Sequence, residues 1–285
     1  MPLVCASAGR AAPRSETSLA VGRRPDPARR FLDLHRVGDP LLLANPWDAG
    51  FAKLLAAAGF QALATTSSGH AGSLGRRDGG VTCEEALAHA ASIVQATEVP
   101  VNADLENGFA SDAEGVAETA RQALATGVAG FSIEDATGRK DDPIFARDVA
   151  TARIEAAAAA SAGLVLTARA ENYVYGIQDL GDTIARLQAF QEAGADVLYA
   201  PGVVEPGEIR TLIESVDRPV NVLMLSGGLS VAELGRVGAA RISVGGAFHG
   251  VAFAAVDAAA RELLEQGTAG YLERARAGVK IRNAF

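Results

Sequence analysis

Short apolar runs and longer amphipathic stretches follow one another along this chain in a regular order. The apolar runs are Leu41–Asn45, Gln61–Thr66, PVNAD ending at Asp104, AGFSIED ending at Asp135, Leu164–Arg169, Asp196–Pro201, Arg218–Met224 and Arg241–Gly246. They are continuous rather than alternating, which predicts strands buried on both faces, as in a parallel sheet. Between them lie stretches of helical composition: Asp48–Ala58, Thr82–Thr97, Ser111–Thr126, Asp148–Ser161, Asp179–Ala193, Glu205–Ser215, Ser230–Val237 and Phe248–Gln266. Thr82 reads as a helix cap, with Glu84 and Glu85 in the first turn, where the helix dipole favours acids. Leu32–Gly38 closes a short leading helix, Ser67–Val81 reads as a long polar loop rich in glycine, and Tyr271–Val279 is a last helical piece.

Strand and helix alternate with no break in composition, so residues 29–285 are expected to form one (β/α)8 TIM barrel with a C-terminal helical extension. An open doubly wound sheet is the competing arrangement, but no GxGxxG follows the first strand. In a barrel the chemistry belongs at the carboxyl ends of the strands. Residues 1–28, rich in Arg, Pro, Ser and Ala, differ from the rest and are expected to be a disordered extension without a secretory signal.

Composition narrows the functional classes. The chain is 49% hydrophobic and only 5% aromatic, which suits many short elements packed through small side chains. A formal charge of -8 argues against a nucleic-acid or anionic-membrane partner, and no apolar run approaches a bilayer span. Two cysteines, Cys5 and Cys83, make no disulfide framework, so the cytoplasm is the expected compartment.

The strand ends carry the candidate chemistry. Strand one supplies Asn45, Trp47 and Asp48. Strand two supplies Thr66, Ser67 and Ser68, and Asp78 follows in its loop. Strand three ends in VNADLENGF, with Asn102, Asp104 and Glu106. Strand four supplies Ser132, Glu134 and Asp135, strand five Arg169, Glu171 and Asn172, strand six Tyr199 and strand seven Asn221. Carboxylates gathered on one rim repel unless a cation sits among them. Hard oxygen donors without a His/Cys cluster point to Mg²⁺, with Mn²⁺ as a substitute and no organic cofactor. After strand eight, SVGGAF is either a phosphate-binding turn or a tight strand-to-helix connection.

SLGRRDGG, PVNADLENGF, GFSIED, LTARAEN and EAGADVLYAP, in this order, resemble the isocitrate lyase/phosphoenolpyruvate mutase superfamily from about Leu41 onward. The resemblance implies a Mg²⁺-dependent barrel acting on a small 2-oxo or 2-hydroxy carboxylate through a metal-bound enolate. It also implies a homo-oligomer, dimer or tetramer, with a swapped C-terminal helix. On that basis Asp78, Asp104 and Glu134 belong to the metal shell, and Thr66, Ser67 and Ser68 hold the substrate carboxylate. Arg169 steadies the enolate, Lys140 belongs to the gating loop and Asn221 matches an asparagine on strand seven; Asn221 and, by its place after strand one, Trp47 are expected to bind substrate. Two departures stand out. The first aspartate of the family's DxD pair is Asn102 here, with Glu106 as a substitute ligand. The gating loop reads GRKDDPIF and lacks the lyases' KxCGH cysteine. The expected reaction is therefore C–C bond cleavage or formation beside a 2-oxo acid. A phosphonomutase or P–C bond enzyme, and a catalytically silent scaffold, are the alternatives.

Overall fold

The computed structural model describes residues 26–161 and 163–283. Most of the expected N-terminal extension, residues 1–25, lies outside them. The helix α1 (Pro27–Asp33) starts inside that extension's predicted boundary, with Asp26 accepting a hydrogen bond from the Ala28 N–H and Pro27 at its first position.

Eight parallel strands then close into a barrel in sequence order. They are β1 (Leu41–Ala44), β2 (Ala62–Ala64), β3 (Val101–Asp104), β4 (Gly130–Glu134), β5 (Val165–Arg169), β6 (Val197–Tyr199), β7 (Val220–Leu223) and β8 (Arg241–Ser243). The helices between them are α2 (Ala49–Ala57), α3 (Ser67–Ser73), α4 (Cys83–Ala96), α5 (Ala113–Leu124), α6 (Arg147–Ala160), α7 (Leu180–Glu192), α8 (Pro206–Glu214) and α9 (Val231–Arg236). After β8 come α10 (Ala247–Arg261), a π turn at Glu262–Gln266, and α11 (Tyr271–Arg282).

The pleat sorts side chains between two environments. Val101, Ala103, Phe131, Ile133, Leu166 and Leu198 face outward and pack with the helices in the main core. The inward positions change character along the barrel axis. Its lower end is apolar: Leu41, Leu43, Ala62, Val165 and Val197 are plugged from beneath by Phe31 of α1. Above it the inward side chains are polar yet buried: Asn102, Ser132, Thr167, Asn221 and Ser243, with Arg241 at the boundary, paired with Leu41 of the lower end.

One expectation needs correction. The stretch Ser67–Val81 is not loop throughout, because its first half is α3, capped by Thr66. Gly69 and Gly72 disguise that helix, since glycine disfavours helix interiors. Both are required by packing: a Cβ on Gly69 would lie 2.6 Å from Thr66 Cγ2, and one on Gly72 would lie 2.5 Å from the His249 ring of α10.

Candidate active site

The carboxyl ends of the strands open into a cavity of about 630 Å³. At its rim stands Arg169, the last residue of β5, and three acids compete for it. Its Nη1 lies 3.2 Å from Asp104 Oδ1, Nη2 lies 3.0 Å from Glu134 Oε2, and Nε lies 2.8 Å from Glu171 Oε1. Register explains the meeting. Glu134 pairs with Arg169 across β4 and β5, and Asp104 pairs with Ser132 across β3 and β4, so three adjacent strand ends deliver their last inward side chains to one place.

The charges do not balance. One guanidinium faces three carboxylates, and Asp78 and Glu106 line the same cavity. Burial, only partly relieved by Arg169, holds the Glu134 carboxyl well above its ordinary range, and Glu171, Asp104 and Glu106 push it further. Glu106 is pushed up to about 7, first by burial and then by Asp104 and Asp78. Burial alone would lower Arg169, but the surrounding acids keep it firmly charged. Its guanidinium also lies 5.3 Å over the Tyr199 ring.

Asp104 is oriented by more than Arg169. Its Oδ2 accepts the Ser67 N–H at 3.0 Å, and its own N–H donates to Thr65 Oγ1 at 2.8 Å. The turn that follows carries Glu106 at φ 48° and Phe109 at φ 53°, left-handed conformations that side chains disfavour. Tertiary bonds hold this turn. The Glu134 N–H donates to the Glu106 carbonyl at 2.9 Å, and the buried Arg153 donates to the carbonyls of Asn107 and Ala110 beneath the Phe145 ring.

The other expected residues divide into two groups. Asp78, Thr66, Ser67, Ser68, Asn102 and Asn221 all line the cavity. Asn102 sits one inward position below Asp104, 3% exposed, and its amide donates to the Ala103 carbonyl at 3.3 Å. Trp47 and Lys140 are not brought to the cavity. Trp47 is packed between Phe51 and His249, and its carbonyl meets His89 Nε2 at 3.0 Å. Lys140 is exposed at the tip of a hairpin closed by the Ala136–Ile144 bridge and an Arg139–Asp142 ion pair. Asp135 also turns away, pairing with Arg186 at 2.9 Å and accepting the Glu171 N–H.

Sequence reasoning passed over Tyr175, Ser243 and Arg241, all of which line the cavity. Arg241 left only a partial signal: an arginine inside the run expected to form strand eight. At SVGGAF the chain passes from β8, ending at Ser243, to α10, starting at Ala247, through Gly245 at φ 52°, and a Cβ on Gly246 would lie 2.7 Å from Ser68 Oγ.

The donor set fits a hard divalent cation held mainly through water. All the rim donors are oxygens and the site carries excess negative charge. Among the described residues no three Asp, Glu, His or Cys side chains gather closely enough to grip one ion directly. Mg²⁺ characteristically keeps several of its waters.

Comparison with known proteins gives a consistent result. The family model for phosphoenolpyruvate phosphomutase matches residues 31–264. The 2-methylisocitrate lyase of Escherichia coli is 30% identical over 202 residues, 68% of each chain. A crystal structure from Burkholderia cenocepacia, provisionally labelled a lyase/mutase, is 49% identical and superposes with a TM-score of 0.86, covering 90% of this chain and 94% of its own. A phosphonopyruvate hydrolase solved with oxalate and Mg²⁺ shares the fold at 21% identity and a TM-score of 0.80, covering 90% of this chain and 95% of its own.

Proposed function

The chain belongs to the phosphoenolpyruvate mutase/isocitrate lyase superfamily, and from that premise we propose that it is a Mg²⁺-dependent lyase. It cleaves or forms a C–C bond next to a 2-oxo or 2-hydroxy carboxylate by way of an enolate. The observation that carries this reading is the sharing of Arg169 among Asp104, Glu134 and Glu171 at the mouth of the cavity. A rim that is negative even with its arginine has a place for a divalent cation, and the related hydrolase solved with Mg²⁺ and oxalate supports the choice of ion.

Asp104, Glu134, Glu106 and Asp78 would hold Mg²⁺, mainly through its bound waters. Glu106 takes over from Asn102, whose amide lies below the rim. The ion supplies Lewis-acid polarisation of the substrate's carboxylate and oxo or hydroxyl oxygens. This chain's own groups do the rest. Arg169 presents fixed N–H donors to the oxygen on which negative charge grows, and such preorganised donors gain strength in a site shielded from water. The Thr66–Ser68 segment orients the carboxylate beside Asp104, with the Ser67 N–H already directed at that rim. Closure of the hairpin that carries Lys140 excludes water when substrate arrives.

A phosphonomutase is the second reading, favoured by the family model and by the absence of the lyase cysteine from the 136–144 hairpin. Screening 2-hydroxy acids, 2-oxo acids and phosphonates for Mg²⁺-dependent release of pyruvate or glyoxylate separates the two. Release from a carbon acid supports the lyase. Rearrangement or release from phosphonates alone would replace it with the mutase. Turnover of none would favour the scaffold.

The same premise extends to assembly. Helices α10 and α11 bury no residue, and Phe253 (56% exposed), Val256 (70%) and Leu264 (84%) lie uncovered. Such an apolar surface suits packing on a second copy of the chain. A dimer or tetramer is the expected mass in light scattering.

A further inference from the structure

Helix α3 has little to hold its shape from within. It is seven residues long, and two of them, Gly69 and Gly72, are among the poorest helix formers. A helix this short is marginal in water even when built from good formers. Yet its start carries the segment proposed to hold the substrate carboxylate. The Ser67 N–H is fixed on Asp104 Oδ2 at 3.0 Å, and Thr66 Oγ1 lies 3.2 Å from Ser68 Oγ. The order of this segment must come from what packs on the helix.

Much of that packing comes from α10, on the far side of β8. His249, the third residue of α10, sets its ring against Gly72. A Cβ at position 72 would lie 2.5 Å from the ring's Cε1 and 3.1 Å from its Nε2, so the ring occupies the space that a side chain would need. The notch continues at Gly69, where a Cβ would meet Trp47 Cβ at 3.4 Å and His249 Cβ at 3.5 Å. At the entrance to α10, Gly246 comes as close to Ser68. The ring is itself held from both sides: Trp47 meets it edge-on at 5.1 Å, and Phe253 lies 4.3 Å away.

The ring acts here through its shape. Its Nε2 is buried without a hydrogen-bond partner, so no polar contact at that atom ties it to α3. No group of metal ligands among the described residues includes it. A second ring contact braces α3 from another element, with His70 stacked flat on His89 of α4 at 3.8 Å.

We propose that His249 is a positioning residue for the carboxylate-binding segment: by filling the glycine notch of α3, it sets the Thr66–Ser68 backbone against Asp104. This rests on the reading that the rim binds Mg²⁺ and a carboxylate. Gly72 and His249 are then a matched pair. The glycine leaves the room that the ring takes, and the ring restores the order that the glycine forfeits.

A cycle of His249→Ala, Gly72→Ala and the double variant tests the pairing. Oxalate affinity with Mg²⁺ present is read by calorimetry, and the melting temperature of each protein is recorded beside it. His249→Ala releases α3 and is expected to weaken oxalate about fivefold or more, since small misplacements of a binding segment are costly. Gly72→Ala drives a methyl group into the ring and is expected to weaken it by a similar factor. In the double variant the methyl has room and alanine favours the helix, so affinity should return to within about twofold of wild type. A folded His249→Ala that melts lower but binds oxalate as wild type does would make the ring a packing group only and overturn the proposal. Losses that simply multiply in the double variant would overturn it too. Gly72→Ala adds one methyl group and keeps the test open if His249→Ala does not fold: unchanged oxalate affinity there also overturns the proposal. Failure of wild type to bind oxalate with Mg²⁺ overturns the rim reading, and this proposal with it.

Discussion

The rim and the floor of the cavity present opposite electrostatic problems a few side chains apart. At the rim one arginine answers to three acids, with two more acids facing the same space. At the floor one arginine answers to a hydroxyl and a neutral imidazole. The difference separates what the protein supplies from what it leaves for a ligand. Excess negative charge above asks for a cation, whereas below a single buried cation is held by neutral partners alone. Neither end is optimised for the stability of the empty protein, which is common where a binding site is built into a core.

The sharpest way to break this comparison is to remove each arginine in turn and measure stability without ligand. Arg169→Gln takes from three crowded carboxylates the cation they share and is expected to cost about 3 kcal/mol, the scale for breaking a buried pair. Addition of Mg²⁺ should recover part of the lost melting temperature. Arg153→Ala strands the carbonyls of Asn107 and Ala110 and removes packing on Phe145, for an expected loss of about 2 kcal/mol by urea titration. It also loosens the turn that carries Glu106. Arg241→Met, by contrast, deprives no carboxylate of a partner and is expected to change stability by less than about 1 kcal/mol. An Arg241→Met loss as large as that of Arg169→Gln would erase the distinction between floor and rim.

Acid tests the floor from another direction. Burial, with the Arg241 charge adding to it, pushes the His35 imidazole down to about 3. Its unfolded value is near 6.5, so the unfolded chain binds the extra proton and stability falls as pH drops from about 6.5 toward 3. His35→Gln should flatten that part of the melting profile; an unchanged slope would place the acid sensitivity elsewhere, for example at His89, which burial and His70 push down to about 4. The smallest effect is expected for Lys140→Ala, which should alter oxalate affinity by less than twofold, since the side chain stands in solvent.

Much of this arrangement was legible in the residue order. Parallel strands buried on both faces read as continuous apolar runs, so all eight strands were visible, and with them the placing of Asp104, Glu134 and Arg169 on one rim; their direct contacts were not. Side chains that depend on packing were harder to see. The glycines of α3 look like loop residues until the His249 ring is placed against them. Trp47 follows a strand end and reads as a site residue, but Phe51 and His249 draw it into the packing outside the cavity. Lys140 matches a gating loop by position, while the hairpin holds it in solvent. Arg241 was missed because its meaning depends on parity. Only the pairing of Leu41 and Asn221 with Arg241 shows that this residue points into the barrel rather than out toward a helix.

The central claim is that the rim carboxylates hold Mg²⁺ and, through it, the reacting end of a carboxylate substrate. Titration of oxalate into wild type and Glu134→Ala, each with and without Mg²⁺, tests it most directly. The account predicts binding by wild type that requires Mg²⁺, and its loss in Glu134→Ala. Oxalate binding that ignores Mg²⁺, or that persists unchanged in Glu134→Ala, would contradict it.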